Sequence, residues 1–311
     1  MAEMLYQRDI YGKTLVELGR QDKNVVVLDA DLSSSTRTAL FAKEFPERFF
    51  NFGIAEQNMM AAAAGLASCG KTVFVSTFAV FATGRAWDQV RNSIAYNNFQ
   101  VKIVATHAGI TVGPDGASHQ AIADIALMRV IPTMKVVVPC DAPQTREAII
   151  SAYRHSGPFY IRLGRPKFPT VEGKGEFVLG KAQILRDGFD ATIIACGIMV
   201  FEALVAADEL LKKGIQVRVI NMHTLRPLDT QAILEAASRT KGIVVCEEHS
   251  VIGGLASAVD EVVSQSSNPV RLLRIGLKER FGQSGEPADL MKEYHLTSAD
   301  IVTAVLRVLE R

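Results

Sequence analysis

The 311-residue chain is 48% hydrophobic and 22% charged, an ordinary globular balance whose length argues for two domains. Thirty-four basic against thirty-three acidic residues leave a net charge of +1, which gives no footing to nucleic acid or an anionic membrane as the main partner. No apolar run reaches the ~18 residues of a membrane span, and the N-terminus carries no signal-peptide core. The four cysteines (Cys69, Cys140, Cys196, Cys246) stand far apart without C-x-x-C spacing. A structural zinc site is therefore not expected, and three of them ending apolar runs point to buried thiols and a cytoplasmic location.

Residues 9–20 (DIYGKTLVELGR) space their apolar side chains as a helix does, and VVVLDA (25–30) reads as a buried strand. Such continuous apolar runs need helices over both faces of their sheet. DLSSSTRTA (31–39) is a polar loop entering a short helix, with serines that are either loop polarity or donors to a ligand. FNFG (50–53) is a strand and turn, Glu56 opens an Ala-rich helix, and residues 72–76 form a β-branched strand. A helix over about 79–96 holds the only tryptophan, Trp87. VKIVATHAG (101–109) is strand then loop, Ser118 is placed to cap a helix through Met128, and MKVVVP (134–139) is another strand. Asp141, with Pro143 just inside, marks the next helix start, and FYIRL (159–163) closes this half.

GRPKFPTVEGKGE (164–176) breaks the alternation with two prolines and three glycines, as a linker would. Beyond it ATIIACG, QVRVIN, GIVVCEE and RLLRIG alternate with helices, and Thr297 caps a last one. The expected fold is α/β in two domains, each a mostly parallel sheet covered by helices. The divisions are 1–166, a linker at 167–180, and 181–311.

Two stretches carry chemistry. FNFGIAEQNMMAAAAGLASCGKTVFVSTFAVF (50–81) puts Glu56 in a first helical turn and Phe78 and Phe81 three residues apart. A carboxylate and an aromatic pair can seat a flat nitrogen-bearing ring. The plainer reading is a glutamate favouring the helix dipole and two core phenylalanines. THAGITVGPDGASHQ (106–120) sets His107, Asp115 and His119 in a glycine-rich loop at the end of a strand. That edge of an open α/β sheet is where ligands bind, and two imidazoles there could orient a polyol and move protons. The alternative is a Pro-Asp-Gly turn with solvated histidines. GGLAS (253–257) is read as close helix packing rather than an anion site. No Walker A, G-x-G-x-x-G or G-x-S-x-G motif occurs.

Together GIAEQ, STFAVF, HAGITVGPDGASHQ, DADLSSST and FGQSGEPADLMKEYHLT resemble the C-terminal half of transketolase, over nearly the whole chain. The resemblance implies a pyrimidine-binding domain for thiamine diphosphate, followed by the family's C-terminal domain. It implies that Glu56 meets the cofactor's aminopyrimidine nitrogen, that Phe78 and Phe81 form the ring's shelf, and that Asp31 belongs to the cofactor pocket. By the same resemblance His107, Asp115 and His119 contact the sugar and aid proton transfer, and Arg8, Ser35 and Arg165 hold its phosphate end. Where the family often has a further shelf aromatic, Gly84 stands, and Trp87 is the expected replacement. Nothing resembles the family's diphosphate half, with its Gly-Asp-Gly and metal-binding Asn. A partner N-terminal subunit is therefore expected to hold the diphosphate and its Mg2+ or other divalent metal, in an α2β2 heterotetramer acting on sugar phosphates. Half of 1-deoxyxylulose-5-phosphate synthase, a 2-oxoacid dehydrogenase E1 β subunit and a non-catalytic scaffold subunit are the alternatives.

Overall fold

A computed structural model describes residues 3–173, 175–267 and 269–310. One sheet has seven strands in the spatial order Thr224–Arg226, Lys135–Val137, Phe159–Arg162, Val101–Thr106, Thr72–Phe78, Val25–Asp29 and Phe49–Asn51. All its neighbours are parallel except the first pair. A second sheet orders Arg271–Leu277, Gly242–Ser250, Ala191–Ala195, Val217–Asn221 and Gln183–Arg186, with only the last strand antiparallel. The central strands are buried along their whole length, as helices on both faces require. Cys140, Cys196 and Cys246 are buried thiols, and Cys69 is exposed.

Three local expectations change. Part of the stretch read as linker, Lys167–Pro169, is a strand antiparallel to Met4–Tyr6. Backbone pairing with a distant segment overrides the local proline signal, and Pro169 stands at the strand's end where a missing N–H is tolerated. Ser118 caps no helix: its hydroxyl lies 3.0 Å from His119 Nδ1, and the helix is only Asp124–Arg129. An isolated bridge between Ala108 and Ala121 closes the intervening loop, which runs through a 3-10 turn at Ile110–Asp115 instead of a helix at Ser118. The helix expected over 79–96 contains two π-helical stretches, Phe81–Arg85 and Gln89–Ala95, a widening often found at functional sites.

The halves are joined by more than a tether. Thr224–Arg226, from beyond the linker, completes the edge of the first sheet, and one apolar cluster runs from Met59 and Ile103 through to Ile220 and Val245.

Candidate active site

In an open parallel sheet the backbone leaves each strand at the same edge, so residues just past the strand ends are gathered together. Register makes this concrete: Asp29 stands beside both Ser76 and Asn51, Phe78 beside Thr106, and Ala105 beside Arg162. Asp31, Glu56, Phe78, His107 and Arg165 thus issue from neighbouring strands at that edge.

Glu56 is the first residue of the helix Glu56–Ser68, whose buried residues include Met60, Ala63 and Ala67. This spacing places the carboxyl on the inward stripe, and the side chain is 1% exposed. Neither helix capping nor a solvated dipole contact explains it: the helix has no side-chain cap. Both carboxylate oxygens instead accept from Arg85 Nη1, at 2.9 and 3.0 Å. The same guanidinium lies 4.5 Å from the centre of the Phe81 ring. A planar, nitrogen-bearing cation is therefore held between a buried carboxylate and an aromatic ring.

The two phenylalanines and two histidines form one cluster. Phe78 and Phe81 are near-parallel, with centroids 6.0 Å apart and 15° between planes. His107 stacks on Phe78 at 3.8 Å, and His119 turns its edge to Phe81 at 5.4 Å. His107 occupies the left-handed region at φ 58°, a conformation costly for a residue with a Cβ. Thr106 Oγ1 lies 2.9 Å from its Nδ1. Burial above all, then the charges of Arg8, Arg165 and His119, pull the His107 pKa down to about 3, so the imidazole is neutral at neutral pH. Asp115 is carried by the same loop but is exposed.

A cationic rim flanks His107. Arg8 donates from Nη1 to the Ser35 carbonyl at 3.2 Å, while its Nε is buried without a partner. Burial and then the charge of Arg37 lower its pKa. Arg165 donates from Nη1 to the Val112 carbonyl. Ser35 belongs to the short helix Ser33–Thr36, anchored on buried Asp29, which accepts from Leu32 N, Thr36 Oγ1 and Thr38 Oγ1. Asp31 is exposed, and its N–H donates to Asn51 Oδ1 at 3.0 Å, the atom that also receives the Gly53 N–H.

Trp87 takes no part in the shelf. Its indole N–H donates to the Leu127 carbonyl at 2.8 Å and the ring packs on the core. A Cβ on Gly84 would meet only open space, and the group lying over Phe81 is the next residue, Arg85. The sequence pointed to Arg85 only through its spacing from Phe78, which favours transketolase over the synthase, and gave it no place in the site, although its i,i+4 spacing from Phe81 was a usable signal. The helix start at Gly254 is filled internally, since Glu247 accepts from Leu255 N and Ala256 N at 2.7 and 2.9 Å.

The chain matches the family models for the transketolase pyrimidine-binding domain over residues 3–170 and the transketolase C-terminal domain over residues 180–301. It superposes on a solved split-gene transketolase, an inactive β4 tetramer, with a TM-score of 0.91 at 52% identity, covering 98% of both chains. A 6-deoxy-6-sulfo-D-fructose transketolase subunit from Clostridium sp. (strain MSTE9) is 43% identical over 98% of this chain and 94% of its own. One of the subunits of an apulose-4-phosphate transketolase from Phocaeicola vulgatus is 40% identical over 99% of each chain.

Proposed function

Because the chain belongs to the transketolase family, as the C-terminal subunit of a split enzyme, we propose that with an N-terminal partner it moves a two-carbon ketol unit from a ketose phosphate to an aldose phosphate. The observation that carries this reading is the place of Arg85. A flat nitrogen cation already bridges Glu56 and Phe81, so the residues present fit the pyrimidine end of thiamine diphosphate. When bound, that cofactor supplies the electron sink for breaking and making the carbon–carbon bond beside the carbonyl.

The protein's own part follows from its side chains. Glu56 would share a proton with a pyrimidine ring nitrogen in place of its bonds from Arg85, with Phe81 and Phe78 as the apolar shelf and Asp31 at its margin. Neutral His107, with Thr106 against Nδ1, leaves Nε2 for a sugar hydroxyl, and His119 and Asp115 serve the same sugar from the loop's far end. Arg8, Arg165 and the Ser35 segment hold the anionic end through charge-assisted bonds. Sulfo and phosphate sugars both stand in the names of the relatives, which fits a rim that reads charge before identity.

Among the described residues no three His, Cys, Asp or Glu side chains converge as a metal site. We assign the divalent metal and the diphosphate to the partner, and the working assembly to two copies of each chain. The test mixes this chain with a partner of similar length bearing Gly-Asp-Gly and a downstream Asn. Ketol exchange between sugar phosphates should require both chains, magnesium and thiamine diphosphate. Exchange by this chain alone, or none with such a partner, would refute the reading.

A further inference from the structure

The loop bearing His107 and His119 holds an unfavourable shape. His107 itself is left-handed, as are Gly109, Gly113 and Gly116, and a non-glycine residue there persists only where surroundings over-determine it. Beside His107 the Ala108 N–H donates to the Leu163 carbonyl and the Gly109 N–H to the Ala121 carbonyl, while further along the loop the surroundings belong to the second sheet and the segment after it.

Glu248, on strand Gly242–Ser250, is 3% exposed and aims its carboxyl out of its own sheet at the loop. Its Oε1 accepts the Thr111 N–H at 2.7 Å. A Cβ on Gly109 would land inside this carboxyl group, so the backbone meets it as closely as glycine permits. At the loop's far end Gln120 Nε2 donates to the Ile110 and Gln283 carbonyls, at 3.1 and 2.9 Å. A Cβ on Gly116 would stand 2.6 Å from Ser284 Oγ. Behind the loop, buried Arg162 donates from Nη2 to the Ala121 and Glu248 carbonyls, at 3.2 and 2.9 Å, and from Nε to Asp124. The neighbouring Glu247 is equally buried but turns the other way, onto the helix start at Leu255.

We propose that Glu248 is a positioning residue through which the C-terminal domain sets the two imidazoles: its carboxyl oxygen fixes Thr111, and so holds His107 against Phe78. The inference rests on the reading of His107 and His119 as the residues that face the sugar. Glu248 reaches neither ring nor ligand, and what matters is an acceptor at that point. A displaced reacting group of about 1 Å can cost about 10²-fold in rate, which gives the domain a catalytic influence without a residue in the cleft.

The test has one readout that needs neither partner nor sugar. In the full chain labelled at histidine carbon, the His107 ring signal should be shifted upfield by Phe78. Glu248→Ala should lose that shift, and Glu248→Asp, which withdraws the carboxyl by one methylene, should lose part of it. Glu248→Gln, which keeps an acceptor in place, and Glu247→Gln, whose hydrogen bonds go to the helix start at Leu255, should both retain it. In the reconstituted pair the Ala variant should lose about 10²-fold in kcat with KM little changed, and Gln should restore it. A wild-type His107 signal in Glu248→Asp, or in a folded Glu248→Ala, would overturn the proposal, as would loss of the signal in Glu247→Gln. Since the signal is read on this chain alone, an inactive pair with the expected shifts would count against the ketol-transfer reading and not against the role of Glu248.

Discussion

The depressed pKa of His107 makes a prediction about stability that can be worked through with its sign. The group is pulled from 6.5 to about 3 in the folded chain. Between those values the unfolded chain binds a proton that the folded chain refuses, so stability rises with pH across the window. Its contribution is complete above the unfolded value and is lost as pH falls towards the folded one. Each pH unit inside the window is worth about 1.4 kcal/mol, and the step from about pH 7 to about pH 5 therefore about 2 kcal/mol. His107→Asn removes the titration while keeping a side chain that tolerates the left-handed backbone. Burial raises the carboxyl pKa values of Asp29, Glu247 and Glu248 and acts in the opposite sense. Depressed His223, at about 4, acts in the same sense as His107. All of these are common to both proteins and cancel in their difference. Urea unfolding at the two pH values should show wild type losing about 2 kcal/mol more than His107→Asn. An equal loss in both would mean that His107 is charged in the folded chain, and the stacked, neutral imidazole would be the wrong picture.

Glu56→Gln should leave the fold intact and lower turnover of the reconstituted pair by about 10²–10⁴-fold; steady-state rates near wild type would remove Glu56 from the mechanism. Arg85→Ala should destabilise the free chain by about 1 kcal/mol, because water reaching its half-exposed place replaces part of the lost contact. A double-mutant cycle with Glu56→Gln in thermal unfolding should then be clearly non-additive, and simple addition would break the assigned pair. Arg165→Ala should raise KM for phosphorylated sugars far more than for unphosphorylated analogues. Equal effects on both would leave it only its bond to the Val112 carbonyl. Calorimetry of the chain with magnesium and thiamine diphosphate should show no tight binding without the partner, because diphosphate and metal contacts outweigh one stacked ring. Micromolar binding by this chain alone would contradict the split site.

The sequence by itself determined the strand–helix alternation, because fully buried strands demand unbroken apolar runs such as VVVLDA, and a helix shows its inward stripe by spacing. It also placed Glu56, Phe78 and His107 next to strand ends, since strand ends follow from strand positions, while the roles proposed for them came from the family resemblance and not from that placement. The Asp141 and Thr297 caps were equally local, each accepting from an N–H three residues on. What only the tertiary structure decided was every pairing across long separation. Arg85 lies 29 residues from Glu56, and Trp87 went to Leu127 rather than to the shelf. Lys167–Pro169 became a strand because Met4–Tyr6 was there to pair with it. Glu248 met Thr111 across 137 residues, and no local pattern marks a carboxylate that closes on a loop of the other domain. Side chains choose partners by distance in space, and distance along the chain carries that information only within a helix turn or a strand repeat.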